Sequence, residues 1–444
     1  MAATSGEFFS CIVTQNGQLF TFGVNDACQL GVAHGMQLTR PALIDTNVVF
    51  NGHAVVMASA GSAHAGCLTS DGGVYMWGSG DFGQLALGDL TMIARVPRRI
   101  PGRVFGGSRV QMIACGADFS LALTGDGVVW SSGLAYSGQL GSGNHQGQTN
   151  FQPIEASKFN NVAIGFIAAG VGHSMALSRQ GGMLWTWGLN RNGQLGQGTW
   201  VLSVSTPTLV EMDSGPRGGD FVYMDGGGDF SMAVTASGAL WSCGNGADGA
   251  LGIDIQEMSM NTFGCVWDPV RTGRSGVRTV SCGYSHTLLV TKDDVVWVSG
   301  DRGSWTDAES VQEEPGVSAA IFRRIDPTLF QNSNIKVVSA GNETSMAVSA
   351  EGRLFLWGDH KHHTGEQPRP MQVCLSEFLH TPVGRWHHLS PSHILALCMG
   401  RHPRIGFNTL YSDIDEEIFR LIYNELRSDI GAGVTTAFQD LIGL

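Results

Sequence analysis

Gly78, Gly80 and Gly83 spell G-x-G-x-x-G, the spacing with which a βαβ unit cradles a dinucleotide pyrophosphate. That chemistry needs a strand before the first glycine and a helix opening at the third, so that backbone N–H groups point at phosphate. Here Gln84 and Leu85 follow inside a loop that recurs elsewhere in the chain, so neither a nucleotide nor any other cofactor is expected. Imidazoles form the second chemical pattern. His360, His362 and His363 cluster, with His387 and His388 near in sequence. A metal site needs convergent ligands with an orienting outer shell; a solvated loop accounts for this cluster, and no metal is expected. His64, His173 and His286 hold one recurring position, which Phe9, Phe119 and Phe230 fill in other copies. Exchange with Phe marks a packing role with a polar tip. Asn342-Glu343-Thr344 matches a glycosylation acceptor but lies in a recurring turn before a strand. With no Cys-x-x-Cys pair and no nucleophile elbow, the chain reads as a non-enzyme.

The elements that carry these residues repeat. Gly23, Gly78, Gly133, Gly188, Gly244, Gly300 and Gly358 are spaced by 55, 55, 55, 56, 56 and 58 residues. Three residues before each stands an aromatic: Phe20, Tyr75, Trp130, Trp185, Trp241, Trp297 and Phe355. A second glycine column, Gly6, Gly61, Gly116, Gly170, Gly227, Gly283 and Gly341, opens a short strand in each copy. Self-similarity at such a period marks a repeat architecture. In the fourth copy, two apolar runs flank a turn at residues 179–182, which reads as a β-hairpin; a Gly/Asn loop, the tetrad GQLG and Pro207 follow. Each unit offers about four short strands. Seven four-stranded units set around an axis give a seven-bladed β-propeller, which leaves no long sheet edge exposed.

The strand after the second glycine column alternates small side chains: Ser10, Ala65, Ser120, Ser174, Ser231, Thr287 and Ser345, then Ile12, Cys67, Ala122, Ala176, Ala233, Leu289 and Ala347 two residues on. Period two puts these on one face. Crowding at the central channel is the reason expected for their size, which makes this the innermost strand. The aromatic column is expected to fill the core between blades.

The words WGSGDFGQL from Trp77, SGLAYSGQLG from Ser132 and WGLNRNGQLG from Trp187, with weaker forms from Phe22 and Cys243, resemble the regulator-of-chromosome-condensation repeat. The strand starts GSAHAGCL, GVGHSMAL and GYSHTLLV match that family's Gly-x-x-His. The resemblance covers roughly residues 6–400 and implies an all-β, seven-bladed propeller. Copies six and seven keep the hairpin columns but lack GQLG. Family members that act as guanine-nucleotide exchange factors use acidic and His side chains near the Gly-x-x-His turns. By motif column these are Asp118, His173, Asp229, His286 and Glu343. Members that bind chromatin carry a basic N-terminal arm, and this chain starts almost directly in the first copy.

Composition narrows the function classes. The 444 residues carry a formal net charge of −12, which argues against nonspecific binding to nucleic acid or anionic membranes. Gly is 62 of 444, about twice the usual share, as repeated tight turns require. No apolar run is long enough to span a bilayer, and the N-terminus shows no secretory or transit signal. Five of the nine Cys fall in columns filled elsewhere by small or apolar residues, the habit of buried, reduced thiols. A cytoplasmic location, or a nuclear one, is expected.

The propeller is expected over residues 1–404, with repeats starting near 6, 61, 116, 170, 227, 283 and 341. The first copy reads as lacking the segment that precedes the glycine elsewhere, so residues 384–400 are expected to close the ring by supplying it. Residues 405–444 are expected to form a short α-helical tail, with Ile414, Ile418, Leu421, Ile422 and Leu426 at helical spacing. The expected function is a non-enzymatic scaffold that binds partner proteins through blade loops. Trp305 with Asp307 and Glu309, in the rewritten sixth loop, has the make-up of an interface anchor with a charged rim. Met258, Met260 and Phe263 make the fifth loop unusually apolar. The alternatives are a small-GTPase exchange factor and a structural subunit of a larger assembly.

Overall fold

In the computed structural model of the chain, the structure describes residues 1–32, 37–88, 91–212, 221–253, 259–301, 311–312, 322–360 and 365–375. Seven antiparallel sheets follow one another along the chain, at residues 2–44, 55–100, 110–153, 164–209, 221–267, 277–325 and 335–373. Six have four strands in sequential order, and the sixth adds a short strand at Val311–Gln312. This is a seven-bladed β-propeller, almost entirely β.

Blade four shows why the sequence folds this way. Its strands are Ile164–Ala169, His173–Ser178, Leu184–Leu189 and Ser203–Leu209. The second strand is buried along its whole length, because a neighbouring blade covers each face. Gly188 ends the third strand at φ 104°, paired with His173. A Cβ there would lie 2.7 Å from the Gly172 carbonyl oxygen and 2.8 Å from the His173 Cα, so only glycine fits. The same conflict recurs at Gly78, Gly133, Gly244 and Gly300, which explains that column.

Two expectations are corrected. The first strands of successive blades, not the second, neighbour one another around the axis, so the innermost strands are those upstream of the second glycine column. The second strands are small-sided because they are sandwiched between blades. Blade one also has its own innermost strand: Ala2–Ser5 pairs with Phe9–Val13 in the register that Ile164–Ala169 keeps with His173–Ser178. Every sheet is therefore built from one contiguous stretch of chain. Residues 384–400 and the tail at 405–444 lie outside the described residues.

The aromatic column does pack between blades. Five of the seven meet an aromatic from the connection that leads into their own blade or from the strand before it. Phe50 stands edge-on to Tyr75 at 4.9 Å, Phe105 to Trp130 at 5.5 Å, Phe159 to Trp185 at 5.9 Å and Phe330 to Phe355 at 5.4 Å. Trp267 does the same for Trp297 at 5.0 Å. T-shaped pairs of this kind add to plain area burial. Blades seven and one share an apolar cluster in which Ile12, Phe20 and Phe22 meet Met346, Val348 and Leu354. The Ser5 and Ser339 hydroxyls meet there at 3.4 Å.

Candidate partner-binding face

In each blade the turn between strands one and two and the loop between strands three and four lie at the same end of the sheet. Together they make one face of the propeller, here the mouth face. Its centre is a cavity of about 330 Å³ lined by the seven glycine turns, from Gly6 round to Gly341. Backbone bonds stitch the turns together. Glu7 N–H donates to Gly61 O (3.3 Å), Ser62 to Ala117 (3.3 Å), Ala117 to Val171 (3.2 Å), Val171 to Gly227 (3.1 Å), Gly228 to Gly283 (3.1 Å) and Tyr284 to Gly341 (3.0 Å). Among the described residues no such bond runs from blade seven to blade one.

The recurring motif residues lie beneath this rim and clip blades together. Ser120 Oγ donates to the Gln84 carbonyl at 2.9 Å, so the 2.9 Å contact with His64 requires the ring to donate from Nε2. His173 and Ser231 repeat the arrangement over the Gln194 carbonyl, at 2.8 and 2.7 Å. His286 meets Ser345 at 3.0 Å. Trp77 and Trp187 donate their indole N–H to the Gln29 and Gln139 carbonyls, at 2.8 and 2.9 Å. The GQLG loop is thus an acceptor for the next blade. The sixth copy lacks that tetrad, and among the described residues the buried Trp357 indole N–H has no partner. Burial holds all three imidazoles near pKa 4 and neutral.

The five residues suggested by the family's exchange factors therefore separate. His173 and His286 are fully buried packing groups and do not reach the surface. Asp118, Asp229 and Glu343 stay on the mouth face, half-buried. Burial, then Glu7 and Asp81, push the Asp118 carboxyl up, so three acids crowd one sector. Asp229 accepts from the Asn192 and Gln194 amides, both at 2.9 Å. Of the apolar fifth-loop residues, Phe263 is 6% exposed in a core cluster and Met260 packs against another. Both belong to the strand Ser259–Trp267, where Phe263 is buried and Met260 half-buried, so neither forms an exposed patch. Met258, Trp305, Asp307 and Glu309 lie outside the described residues, as do His362, His363, His387 and His388. Among the described residues there is no cluster of metal-ligating side chains, and no helix is long and apolar enough to cross a membrane.

Sequence reasoning missed two groups. One is Asp225, in the innermost strand of blade five. Burial lifts its carboxyl to about pKa 7, against the pull of the Cys282 and Gly226 N–H groups it accepts from at 2.8 and 3.0 Å. Ser59 and Ser281 do the same job in their blades, each accepting from the next blade at 2.9 and 3.0 Å. The signal was present as an Asp in a column of Thr, Ser and Ala. The other group is a set of exposed apolar side chains on the mouth face: Phe82, Met92, Tyr136, Trp200, Val201 and Leu202.

Residues 1–304 match the RCC1-like domain. The chain belongs to the RCC1-like domain family. The human E3 ubiquitin-protein ligase HERC2 is 32% identical over 299 residues, 66% of this chain and 6% of that protein. The ultraviolet-B receptor UVR8 of Arabidopsis thaliana is 32% identical over 251 residues, 56% of this chain and 53% of the receptor. The chain thus spans only part of these relatives. Yeast RCC1 (Prp20), in its crystal structure with Kap60, superimposes with a TM-score of 0.69 at 19% identity, covering 82% of this chain and 86% of that one. At that identity the likeness concerns the fold. Within the RCC1-like pattern, the Gly-x-x-His and GQLG words are joints between blades.

Proposed function

We propose that this RCC1-like propeller is a non-enzymatic platform that binds partner proteins through its mouth face. The observation that carries this reading is the large apolar side chains left in solvent on that face. Leu202 is 71% exposed and Tyr136 77%. Contiguous exposed apolar surface marks interaction sites. Two relatives bear names as different as a ubiquitin-protein ligase and a light receptor. Shared propeller architecture across such names supports a recognition role over shared chemistry. The free, buried thiols Cys11, Cys67, Cys115, Cys243 and Cys282 support a reducing compartment, cytoplasm or nucleus.

Quantitative affinity purification tests this. Tyr136→Ser with Trp200→Ser should remove interactors that Val270→Ser, on an exposed connection away from the mouth, retains. Equal recovery by both variants overturns the assignment of the face. The exchange-factor reading draws support from the unneutralised acids Asp118 and Glu7 on the same face. It predicts faster nucleotide release from a small GTPase, abolished by Asp118→Ala with Asp229→Ala. No acceleration across a panel of GTPases removes that reading and leaves the platform.

A further inference from the structure

The exposed apolar side chains of the mouth face lie along a ridge made by the neighbouring loops of blades two to four. In blade two, Gly80 N–H donates to the Met92 carbonyl at 2.7 Å, which holds Met92 beside the loop that carries Phe82. That loop rests on the start of the fourth strand of blade three, near Gly147 and Gln148. Two residues before Gly147, His145 Nδ1 meets the Tyr136 carbonyl at 3.0 Å. The Tyr136 loop in turn rests on Ser205, three residues past Leu202. The steps from blade two to three and from three to four are therefore packed contacts between neighbouring blades.

The tip at Thr199 to Leu202 is held rigidly from below. The buried Asn190 amide donates to the Thr199 and Val201 carbonyls, at 3.1 and 3.0 Å, and the Asn190 N–H donates to the Leu202 carbonyl at 2.8 Å. Three of the four tip carbonyls are thus held, while Trp200, Val201 and Leu202 stand 58%, 48% and 71% in solvent. Immobilising an apolar tip in advance lowers the entropy that binding must overcome.

Charge decides what kind of partner fits. On the axial side of the ridge stand Glu7, Asp81, Asp118 and Asp229. Burial raises the Asp118 carboxyl most, and Glu7 and Asp81 add to that rise from close by. Among the described residues of the seven glycine turns and the loops of blades two to four, Arg191 and the His145 ring are the only basic groups, and two cations reach in from the outer side, Arg98 to Thr91 at 3.4 Å and Lys158 to the Ser142 carbonyl at 2.6 Å. The far rim differs. There Arg109, Arg179 and Lys292 are bound to carbonyls of the preceding blade's turn.

Resting on the platform reading above, we infer that the ridge docks a protein segment in which Lys or Arg alternates with large apolar residues. The apolar side chains lie along Phe82, Tyr136 and Trp200, and the cations reach the carboxylates at the mouth. Complementary charge of this kind raises the encounter rate and rejects acidic competitors.

A display library of random 15-residue peptides tests this chemistry. Selection is run on the wild-type chain after depletion on the Trp200→Ser/Leu202→Ser variant, whose substitutions lie in solvent and leave the fold intact by circular dichroism. Peptides rich in Lys or Arg and in Leu, Ile or Phe are expected. Their affinity should fall at least tenfold with Asp81→Asn/Asp118→Asn, and again when salt is raised from 50 to 500 mM, by the screening of exposed charges. Enrichment of acidic or uncharged peptides overturns the inference. So do binders that are indifferent to the Trp200 and Leu202 changes, although these would leave the platform reading standing with another surface. A chain that enriches no peptide on any face overturns both.

Discussion

Acid should unfold this propeller through its interior before it touches the surface carboxylates. His64, His173 and His286 are fully buried, and burial lowers each from an ordinary 6.5 to about 4. Keeping each ring neutral in this way is worth about 3 kcal/mol of stability. That stability is complete above pH 6.5 and is lost as pH falls towards 4, because the unfolded chain takes up protons the folded one refuses. Asp225 works in the opposite sense. Its carboxyl is lifted from 3.8 to about 7, so it favours the folded state at low pH and opposes it as pH rises through 7. Between pH 6.5 and 4.5 the unfolded state binds three protons at the imidazoles, and the folded state binds one at Asp225. The balance approaches two protons, a loss of about 3 kcal/mol per pH unit at most and about 4 kcal/mol across the window. That is a large part of the stability of an ordinary domain. Asp71 and Asp294 are held below the usual carboxylate range by their hydrogen-bond and ionic partners, so they add their losses only below about pH 4. Phe9, Phe119 and Phe230 already fill the same position in other blades, at 0–1% exposure, so His64→Phe/His173→Phe/His286→Phe should fold. Urea titration at pH 6.5, 5.5 and 4.5 and constant ionic strength should show the wild-type loss. In the triple variant the slope should reverse to a gain of about 1.4 kcal/mol per unit as pH falls, from Asp225 alone. A flat wild-type profile, or a triple variant that keeps the wild-type slope, refutes the reasoning.

Other outcomes follow from single features. Asp225→Ser, the residue of the same column in blades two, six and seven, should raise the urea midpoint at pH 8 and leave it unchanged at pH 4; a drop at both values would mean the carboxylate is needed for more than its hydrogen bonds. Gly188→Ala forces a Cβ onto backbone atoms at positive φ and should cost roughly 2 kcal/mol or more. Gly106→Ala, also at positive φ but with nothing within 4 Å, should cost about 1 kcal/mol; thermal melts of equal midpoint would contradict the steric account. In hydrogen exchange, the amides of Ser62, Ala117, Val171, Gly228 and Tyr284 should be slow and that of Asn342 fast, and equal protection would mean blades seven and one are joined like the rest. A thiol reagent should modify the exposed Cys265 and Cys374 at once and Cys11, Cys67 and Cys243 only on unfolding; early loss of a buried thiol would show local opening.

The fold was readable because the glycine and aromatic columns are forced by contacts that every blade repeats. Gly188 answers to a carbonyl in its own blade, and Trp185 to an aromatic in the connection before it, so the period survives seven times. The innermost strand was misplaced for a related reason. Ala2–Ser5 is two residues shorter than counterparts such as Ile164–Ala169 and lacks their large apolar side chains, whereas the second strand shows the regular alternation that sequence reading rewards. The candidate site was legible only in part. His173 and His286 share a motif with surface-active relatives, but the motif describes position along the chain, and the hydroxyl of the next blade that buries them lies 58 and 59 residues away. Met260 and Phe263 looked like loop residues because a long, irregular stretch precedes their strand. Phe82, Tyr136 and Trp200 occupy different offsets within their loops, so no column joins them until the blades are set side by side.

That each sheet is spun from an unbroken stretch of polypeptide bears on how the molecule is made. A blade can fold as soon as its own fifty-odd residues have left the ribosome, with no strand held back for the end. The meeting of Ile12 and Phe20 with Met346 and Val348 comes last. Closure entropy grows only with the logarithm of loop length, by about 0.6 kcal/mol per doubling, so this late step is cheap beside the apolar area it buries. New termini introduced at any connection between blades would leave all seven sheets whole. The present start and end of the ring are therefore one choice among seven equivalent ones, and circular permutants should reach the same native state.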